Sequence, residues 1–139
     1  MIYLIGSLRN PKVTEVARAL RANDHEVFDQ WTASGPEADD IFYAYAKQRG
    51  WDSKTALQSA FARSCFNLDR THIELADVVV LIMPAGKSGH LELGYALGLG
   101  KYGYILQDGE PDRLDMMYQF ATAVVNNLDE LLLELRGKS

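Results

Sequence analysis

Glu92 stands in the stretch Ser88-Gly89-His90-Leu91-Glu92-Leu93-Gly94-Tyr95-Ala96, shortly after the apolar run Val78-Val79-Val80-Leu81-Ile82. Such a run reads as a strand buried on both faces, as in parallel sheets. A carboxylate just past the C-terminal end of a parallel strand lies where open α/β sheets place their ligand crevice. A second carboxylate, Asp69, sits in Phe66-Asn67-Leu68-Asp69-Arg70, on a helical stretch expected to cross above the same sheet edge. Two carboxyl groups in one crevice are the equipment for cleavage at an anomeric carbon. One attacks against an oxocarbenium-like transition state, and the other protonates or polarises the leaving group. The plain alternatives are a solvated helix glutamate at 92 and an aspartate at 69 that caps its helix or pairs with Arg63 or Arg70. A third feature is the loop Gly6-Ser7-Leu8-Arg9-Asn10, between a strand and a helix. Backbone N–H groups, the Ser7 hydroxyl and the forked charge of Arg9 suit a phosphate or sugar oxygen there, although an ordinary turn needs no ligand.

The elements that must position these residues alternate. Met1 to Ile5 is apolar and closed by Gly6-Ser7, and Lys12 to Ala22 carries Val13, Val16, Ala17 and Leu20 at helical spacing. Glu26-Val27-Phe28 reads as a short second strand, followed by a Gly-Pro-containing loop at 32–36. Asp39 to about Gly50 and Ser53 to about Leu75 are helical in pattern, with Asp52 or Ser53 as N-caps. Strands are expected at Asp77 to Ile82, Tyr102 to Leu106 and Ala123 to Val125, and helices at Leu91 to Leu99 and Leu128 to Leu135. This order predicts an α/β fold: a Rossmann-like, flavodoxin-like, doubly wound parallel sheet of about five strands, with a long helical crossover between strands 2 and 3. A chain of 139 residues with 47% hydrophobic content fits a single domain, 1–139.

Several chemistries are excluded. The net charge of −5, from 14 basic and 19 acidic residues, argues against a nucleic-acid partner. Gly86-Lys87-Ser88 is not a Walker loop, because the position of its first glycine is Leu81, inside the strand. His25, His72 and His90 are scattered without metal-ligand spacing, so no metal and no cofactor are expected. The single cysteine, Cys65, allows no internal disulfide and reads as a small buried hydrophobe. No leader and no long apolar span is visible, so the expectation is a cytoplasmic protein without membrane contact.

Ile2-Tyr3-Leu4-Ile5-Gly6-Ser7, Asn67-Leu68-Asp69, Ala76-Asp77-Val78-Val79-Val80 and Glu92-Leu93-Gly94-Tyr95-Ala96 with Gly100-Lys101 follow one another along the chain. In that order they resemble the nucleoside 2-deoxyribosyltransferase superfamily, which includes the 2'-deoxynucleoside 5'-phosphate N-hydrolases. The resemblance implies that Glu92 is the nucleophile that attacks C1' and forms a covalent glycosyl-enzyme. It implies that the Tyr3 hydroxyl orients that carboxylate and that Asp69 assists departure of the base. Gly6, Ser7 and Arg9 resemble the loop of the hydrolase branch that holds a 5'-phosphate, which tilts the expectation toward hydrolysis over base exchange. Ser88 and Gly89 would add donors to the same cluster, with a shorter spacing to Glu92 than the hydrolase branch has. Leu114-Asp115-Met116-Met117 aligns with a segment that completes the site of a neighbouring subunit. The resemblance therefore implies a homodimer or higher homo-oligomer with a shared active site, in which Asp115 contacts substrate. An acid there would repel a phosphate and suits a sugar hydroxyl better. Asp29, after the second strand, is placed to meet a base or ribose edge. Trp31, Phe42, Tyr43, Tyr45 and Trp51 flank the crossover and are expected chiefly in the core.

Two function classes follow. One is an enzyme that cleaves the N-glycosidic bond of a small-molecule nucleoside or nucleotide through Glu92, passing the sugar to water or to a second base. The other is a nucleotide-binding sensor or interaction domain that uses the same crevice without turnover.

Overall fold

Five short runs of aliphatic and aromatic residues pair in register to build the protein, and they fix where everything else lies. In the computed structural model, which describes residues 1–138, these are β1 (Ile2–Ile5), β2 (Val27–Phe28), β3 (Val78–Ile82), β4 (Tyr102–Leu106) and β5 (Ala123–Val125). All are parallel, in the order β2-β1-β3-β4-β5. The helices are α1 (Lys12–Ala22), α2 (Ala38–Gln48), α3 (Ser53–Leu57), α4 (Ala60–Leu75), α5 (Lys87–Gly98) and α6 (Leu128–Glu134), with 3₁₀ turns at Gln30–Ser34 and Met116–Phe120. The expected doubly wound architecture is the one found.

Strand periodicity sorts the sheet into two cores. Ile2, Leu4, Val78, Val80, Ile82, Tyr104, Leu106 and Val125 face α1 and α6. Tyr3, Ile5, Phe28, Val79, Leu81 and Ile105 face α4 and α5. The helix that follows β1 therefore packs on one face, and the helix that follows β3 packs on the other. Between the C-terminal ends of β1 and β3 the connections part, which makes this the topological switch point where an open α/β sheet leaves a crevice.

Two elements differ from the sequence reading. Helix α5 begins at Lys87, four residues before the expected Leu91. Glycine is a poor helix former, but Gly89 is buried where helix and sheet nearly touch: a Cβ there would lie 2.9 Å from Leu81 Cδ1 and 3.1 Å from Ile5 Cγ2. Tertiary packing overrides the local preference. The crossover, expected to run unbroken from Ser53, is divided between α3 and α4. The Ser59 hydroxyl accepts from the Ala62 N–H at 3.3 Å, and this N-cap starts a new helix. Asp52 caps α3, accepting from the Thr55 N–H at 2.8 Å.

The aromatic residues of the crossover are a correction. Tyr43 and Tyr45 are 64% and 42% exposed, and Ala46 is the buried residue of α2. The reason is that β2 spans two residues and offers no sheet surface beneath α2. Tyr45 instead meets Trp51 edge-on and stacks under the Arg49 guanidinium at 3.3 Å. Cys65, expected inside, is exposed, as are Phe61, Phe66 and Leu68 of α4. Among the described residues no helix is long and apolar enough to cross a membrane.

The close approach at Gly89 sets a test. Gly89→Val would push α5 off β1 and β3 and is expected to cost about 1–3 kcal/mol, the usual range for overpacking. A denaturant midpoint unchanged from wild type would show that α5 does not need this contact.

Candidate active site

Parallel register puts Tyr3 of β1 level with Phe28 of β2 and Val79 of β3, all on the α4/α5 face. The Tyr3 ring is 1% exposed and lies over Phe28, with centroids 5.2 Å apart and planes 13° from parallel. Phe28 in turn stacks on His72 of α4 at 3.9 Å and 19°. The His72 ring is anchored by its own helix, with Nδ1 donating to the Leu68 carbonyl at 2.8 Å. A column of three rings thus fixes the Tyr3 hydroxyl, which donates to Glu92 Oε2 at 2.9 Å. On α5, Gly89, Leu93 and Ala96 form the stripe packed on the sheet, and Glu92 rides on its edge, one turn beyond Gly89.

Electrostatics ties Asp69 to the pair. Burial pushes the Glu92 carboxyl up to about 7; the Tyr3 hydrogen bond holds it back, and the nearby Asp69 charge pushes it further up. Tyr3 is held well above the ordinary phenol range, first by burial and then by the charges of Glu92 and Asp69. Asp69 is raised by its own burial, against the opposing influence of His72. A helix ion pair with Arg70 is not its role, because Arg70 bonds Glu74 at 3.1 Å. Two carboxyl groups and a phenol therefore share one poorly hydrated space, with different partners setting each one's ionisation.

The remaining candidates are spread around the crevice. A cavity of about 290 Å³ at the switch point is lined by Ser7, Arg9, Asn10, Pro84, Ala85 and Gly86. Gly6 is the tight turn beneath it, where a Cβ would meet Val13 Cγ2 at 2.8 Å. The Ser7 hydroxyl accepts from the Arg9 N–H at 3.2 Å. The Arg9 guanidinium bonds the Asp40 carboxylate and, through Nε, the Pro36 carbonyl at 3.2 Å. Ser88 is exposed in the first turn of α5, whereas Gly89 is turned into the sheet. Asp29 is held by Arg21 at 2.7 and 3.3 Å. Asp115 caps the 3₁₀ turn at 116–120, accepting from the Met117 N–H at 2.9 Å.

Three participants were not singled out from the sequence. Phe28 and His72 enter through stacking, which depends on strand register and on how α4 lies over it. Tyr118 shares a hydrogen bond with His90 Nε2 at 2.9 Å and docks the 3₁₀ turn onto the start of α5. Since the Gly86 carbonyl accepts from His90 Nδ1 at 2.7 Å, a neutral His90 ring accepts from the Tyr118 hydroxyl. The sequence carried no signal for this pair, 28 residues apart. Trp31, by contrast, was noted and is half-buried, with its indole N–H donating to the Leu4 carbonyl at 2.8 Å.

The same fold occurs in a 2-deoxyribosyltransferase from the psychrotolerant bacterium Bacillus psychrosaccharolyticus. The two chains align with a TM-score of 0.64 and 22% identity over 94% of this chain and 88% of that one. The CMP N-glycosidase BcmB of Clostridium botulinum aligns with a TM-score of 0.46 and 19% identity over 97% and 96%. No protein-family model matches the sequence, and no curated protein matches it.

The raised Glu92 carboxyl has a consequence for stability. Below its ordinary 4.5 the group is neutral in both folded and unfolded chains. Between 4.5 and about 7 only the unfolded chain ionises, so stability is lost as pH rises, and above 7 the full cost stands. That cost is on the order of 2–3 kcal/mol, at 1.36 kcal/mol per pKa unit with some allowance for partial exposure. Glu92→Gln keeps an acceptor for Tyr3 and removes the charge. It should raise the melting temperature at pH 8 and leave it nearly unchanged at pH 4; equal effects at both pH values would contradict the buried-charge account.

Proposed function

We propose that this chain is an enzyme of the nucleoside 2-deoxyribosyltransferase superfamily, which breaks the N-glycosidic bond of a (deoxy)nucleoside or its 5'-monophosphate through a covalent glycosyl-Glu92 intermediate. The observation that carries this reading is the hydrogen bond from the buried Tyr3 hydroxyl to Glu92 Oε2 at 2.9 Å, with the Asp69 charge close enough to raise both groups. A binding module has no need of a carboxylate aimed by a buried phenol, whereas a nucleophile does.

In the first half-reaction a Glu92 carboxylate oxygen forms a bond to C1' as the C1'–N bond breaks. The electron pair leaves with the base, and the proton held on the Asp69 carboxyl neutralises it. Tyr3 keeps the attacking carboxylate in line while its other oxygen remains free for C1'. In the second half-reaction water or a second free base attacks C1' and releases Glu92. Water yields its proton to Asp69, now a carboxylate, which resets the site. Hydrolysis and exchange share the first step and differ only in the acceptor.

We also propose that a second copy of the chain covers part of this face. Leu114, Met116, Met117 and Phe120 are 87%, 74%, 62% and 76% exposed, beside the turn that Tyr118 docks against α5. Phe61, Phe66, Leu91 and Leu99 are exposed on α4 and α5. Exposed large apolar residues in this number favour an interface. A homodimer or larger homo-oligomer would bring Asp115 toward a neighbour's crevice. Light scattering should return at least twice the mass of one chain, and a clean monomer at working concentration would remove the shared-site role of Asp115.

The central test is release of free base from a panel of nucleosides and nucleotides, followed by chromatography. Wild type should release base, and Glu92→Ala should lose about a thousandfold or more, as expected for a covalent nucleophile. No release by wild type, with equal binding of the panel by both proteins, would favour a sensor. The pH profile adds a sharper signature. Because the proposed step needs one proton on the pair, carried by Asp69 while Glu92 is ionised, kcat/KM should fall as pH rises through about 7, where the pair loses that proton. Tyr3→Phe removes the hydrogen bond that holds the pKa down, so this limb should move up. Asp69→Asn removes the proton carrier itself, so this limb should disappear, on top of a rate loss of about 10²–10⁴ from the missing acid. Limbs that stay put in both variants would mean that neither group governs Glu92.

A further inference from the structure

At the mouth of the crevice, charge is arranged in a way that the carboxylate chemistry does not use. Of the six residues that line the 290 Å³ cavity, Arg9 is the charged one. Gly86, also in the lining, caps α5, and Glu92 lies six residues further on, about 9 Å along a helix that rises 1.5 Å per residue. A substrate whose C1' meets Glu92 would therefore extend its 5' end toward the Gly86 end of the cavity, whose lining includes Arg9.

The guanidinium is already engaged. Its Nε donates to the Pro36 carbonyl at 3.2 Å, a terminal amino group bonds the Asp40 carboxylate, and Glu37 Oε2 lies 3.8 Å away. Two carboxylates thus face one cation, and their excess negative charge sits at the rim of the cavity. The neighbouring cation, Lys12, is drawn onto Asp108. A phosphate needs two parallel N–H groups of a guanidinium for a bidentate bond, and here it must first displace a carboxylate that holds one of the terminal amino groups. A neutral hydroxyl asks for no such exchange.

We infer that Glu37 and Asp40 are specificity determinants: by occupying Arg9 they make the crevice select nucleosides with an uncharged 5'-hydroxyl over the corresponding 5'-phosphates. This rests on the reading of the site as an N-glycosidic-bond enzyme, and it turns the loop at Ser7 and Arg9 from a phosphate cradle into a disarmed one. The pairs are solvent-exposed, so each is weak, and the discrimination they supply is modest. Lys87 and the first-turn N–H groups of α5 are the same in every variant below, so their attraction for anions cancels from the comparison.

The experiment compares wild type, Glu37→Gln/Asp40→Asn and the triple variant that adds Arg9→Ala. Base release is measured from matched deoxynucleosides and deoxynucleoside 5'-monophosphates, with circular dichroism and melting curves as the folding control. The double variant should raise the kcat/KM ratio of phosphate over nucleoside about 3- to 10-fold, the range two exposed ion pairs can supply. Adding Arg9→Ala should erase the gain. A ratio that does not move in a folded double variant overturns the inference, as does a wild type that prefers the phosphate and loses that preference on Arg9→Ala alone. Titration with inorganic phosphate, followed by amide chemical shifts at Ser7 and Arg9, decides the matter without turnover. Tighter binding to the double variant supports the inference and equal binding refutes it, even if no protein of the set releases a base and the N-glycosidic reading falls.

Discussion

Everything near the crevice depends on keeping one carboxylate out of water. Glu92 is ionised at a cost, because the sheet, α4 and α5 remove the solvent that would stabilise its charge, and the hydrogen bond from Tyr3 returns only part of that stabilisation. The bond exists only if β1 and α5 stay within contact distance. Gly89 permits this, since a Cβ at that position would collide with Leu81 and Ile5. The same bond exists only if the Tyr3 ring cannot swing away, and the stack on Phe28 and His72 prevents that. A β-strand, a crossover helix and a helix start are thereby committed to one hydroxyl. Such preorganisation is what an attacking group requires, since it must not spend time in other rotamers when substrate arrives.

The topology explains why this arrangement opens to solvent at one end only. With α1 on one face and α5 on the other, no helix covers the C-terminal ends of β1 and β3. The gap is bordered instead by loops: Gly6 to Asn10, Pro84 to Gly86, and the segment before α2 that Arg9 ties down through Pro36 and Asp40. Tyr3 and Glu92 sit on regular elements whose backbone cannot shift cheaply. The rim sits on loops held by exposed ion pairs, which can be exchanged without disturbing the core. In the proposed function, reactivity and substrate choice are in this way carried by different physical layers of the molecule.

Much of the architecture was legible because parallel strands buried on both faces read as unbroken apolar runs, and all five lie where such runs occur. Glu92 and Asp69 could be singled out because strand ends and crossover helices locate a crevice before any contact is known. Tyr3 could not be assigned by that logic: a tyrosine inside Ile2–Ile5 reads as core, and only the resemblance gave its hydroxyl a task. Its aim comes from parallel register and from the reach of α5, neither of which is a local property of the sequence. Tyr43, Tyr45 and Cys65 were misplaced for the converse reason. Their residue types suit a core, but whether a core lies beneath them depends on how far the sheet extends, and β2 ends after two residues. The engagement of Arg9 was equally hidden, since its carboxylate partner is 31 residues away on another element.

Two partly buried carboxyl groups in one space are ambiguous until something distinguishes them. Burial raises both, so burial alone cannot say which attacks and which donates a proton. The neighbours break the tie. Glu92 receives a hydrogen bond from a phenol that is itself held protonated far above neutrality, so this donor never competes for the role of base and always favours the anion at Glu92. Asp69 has no such donor in that column; its neighbour His72 is fixed by the Leu68 carbonyl and lends only a charge influence. In the proposed reaction the first half consumes the Glu92 charge as the bond to C1' forms. Asp69, having given its proton to the departing base, becomes a carboxylate as the Glu92 charge is consumed, so the reacting site does not carry both charges at once. One negative charge thus passes from Glu92 to Asp69 in the proposed step, and that exchange needs two neighbouring groups whose partners make them unequal.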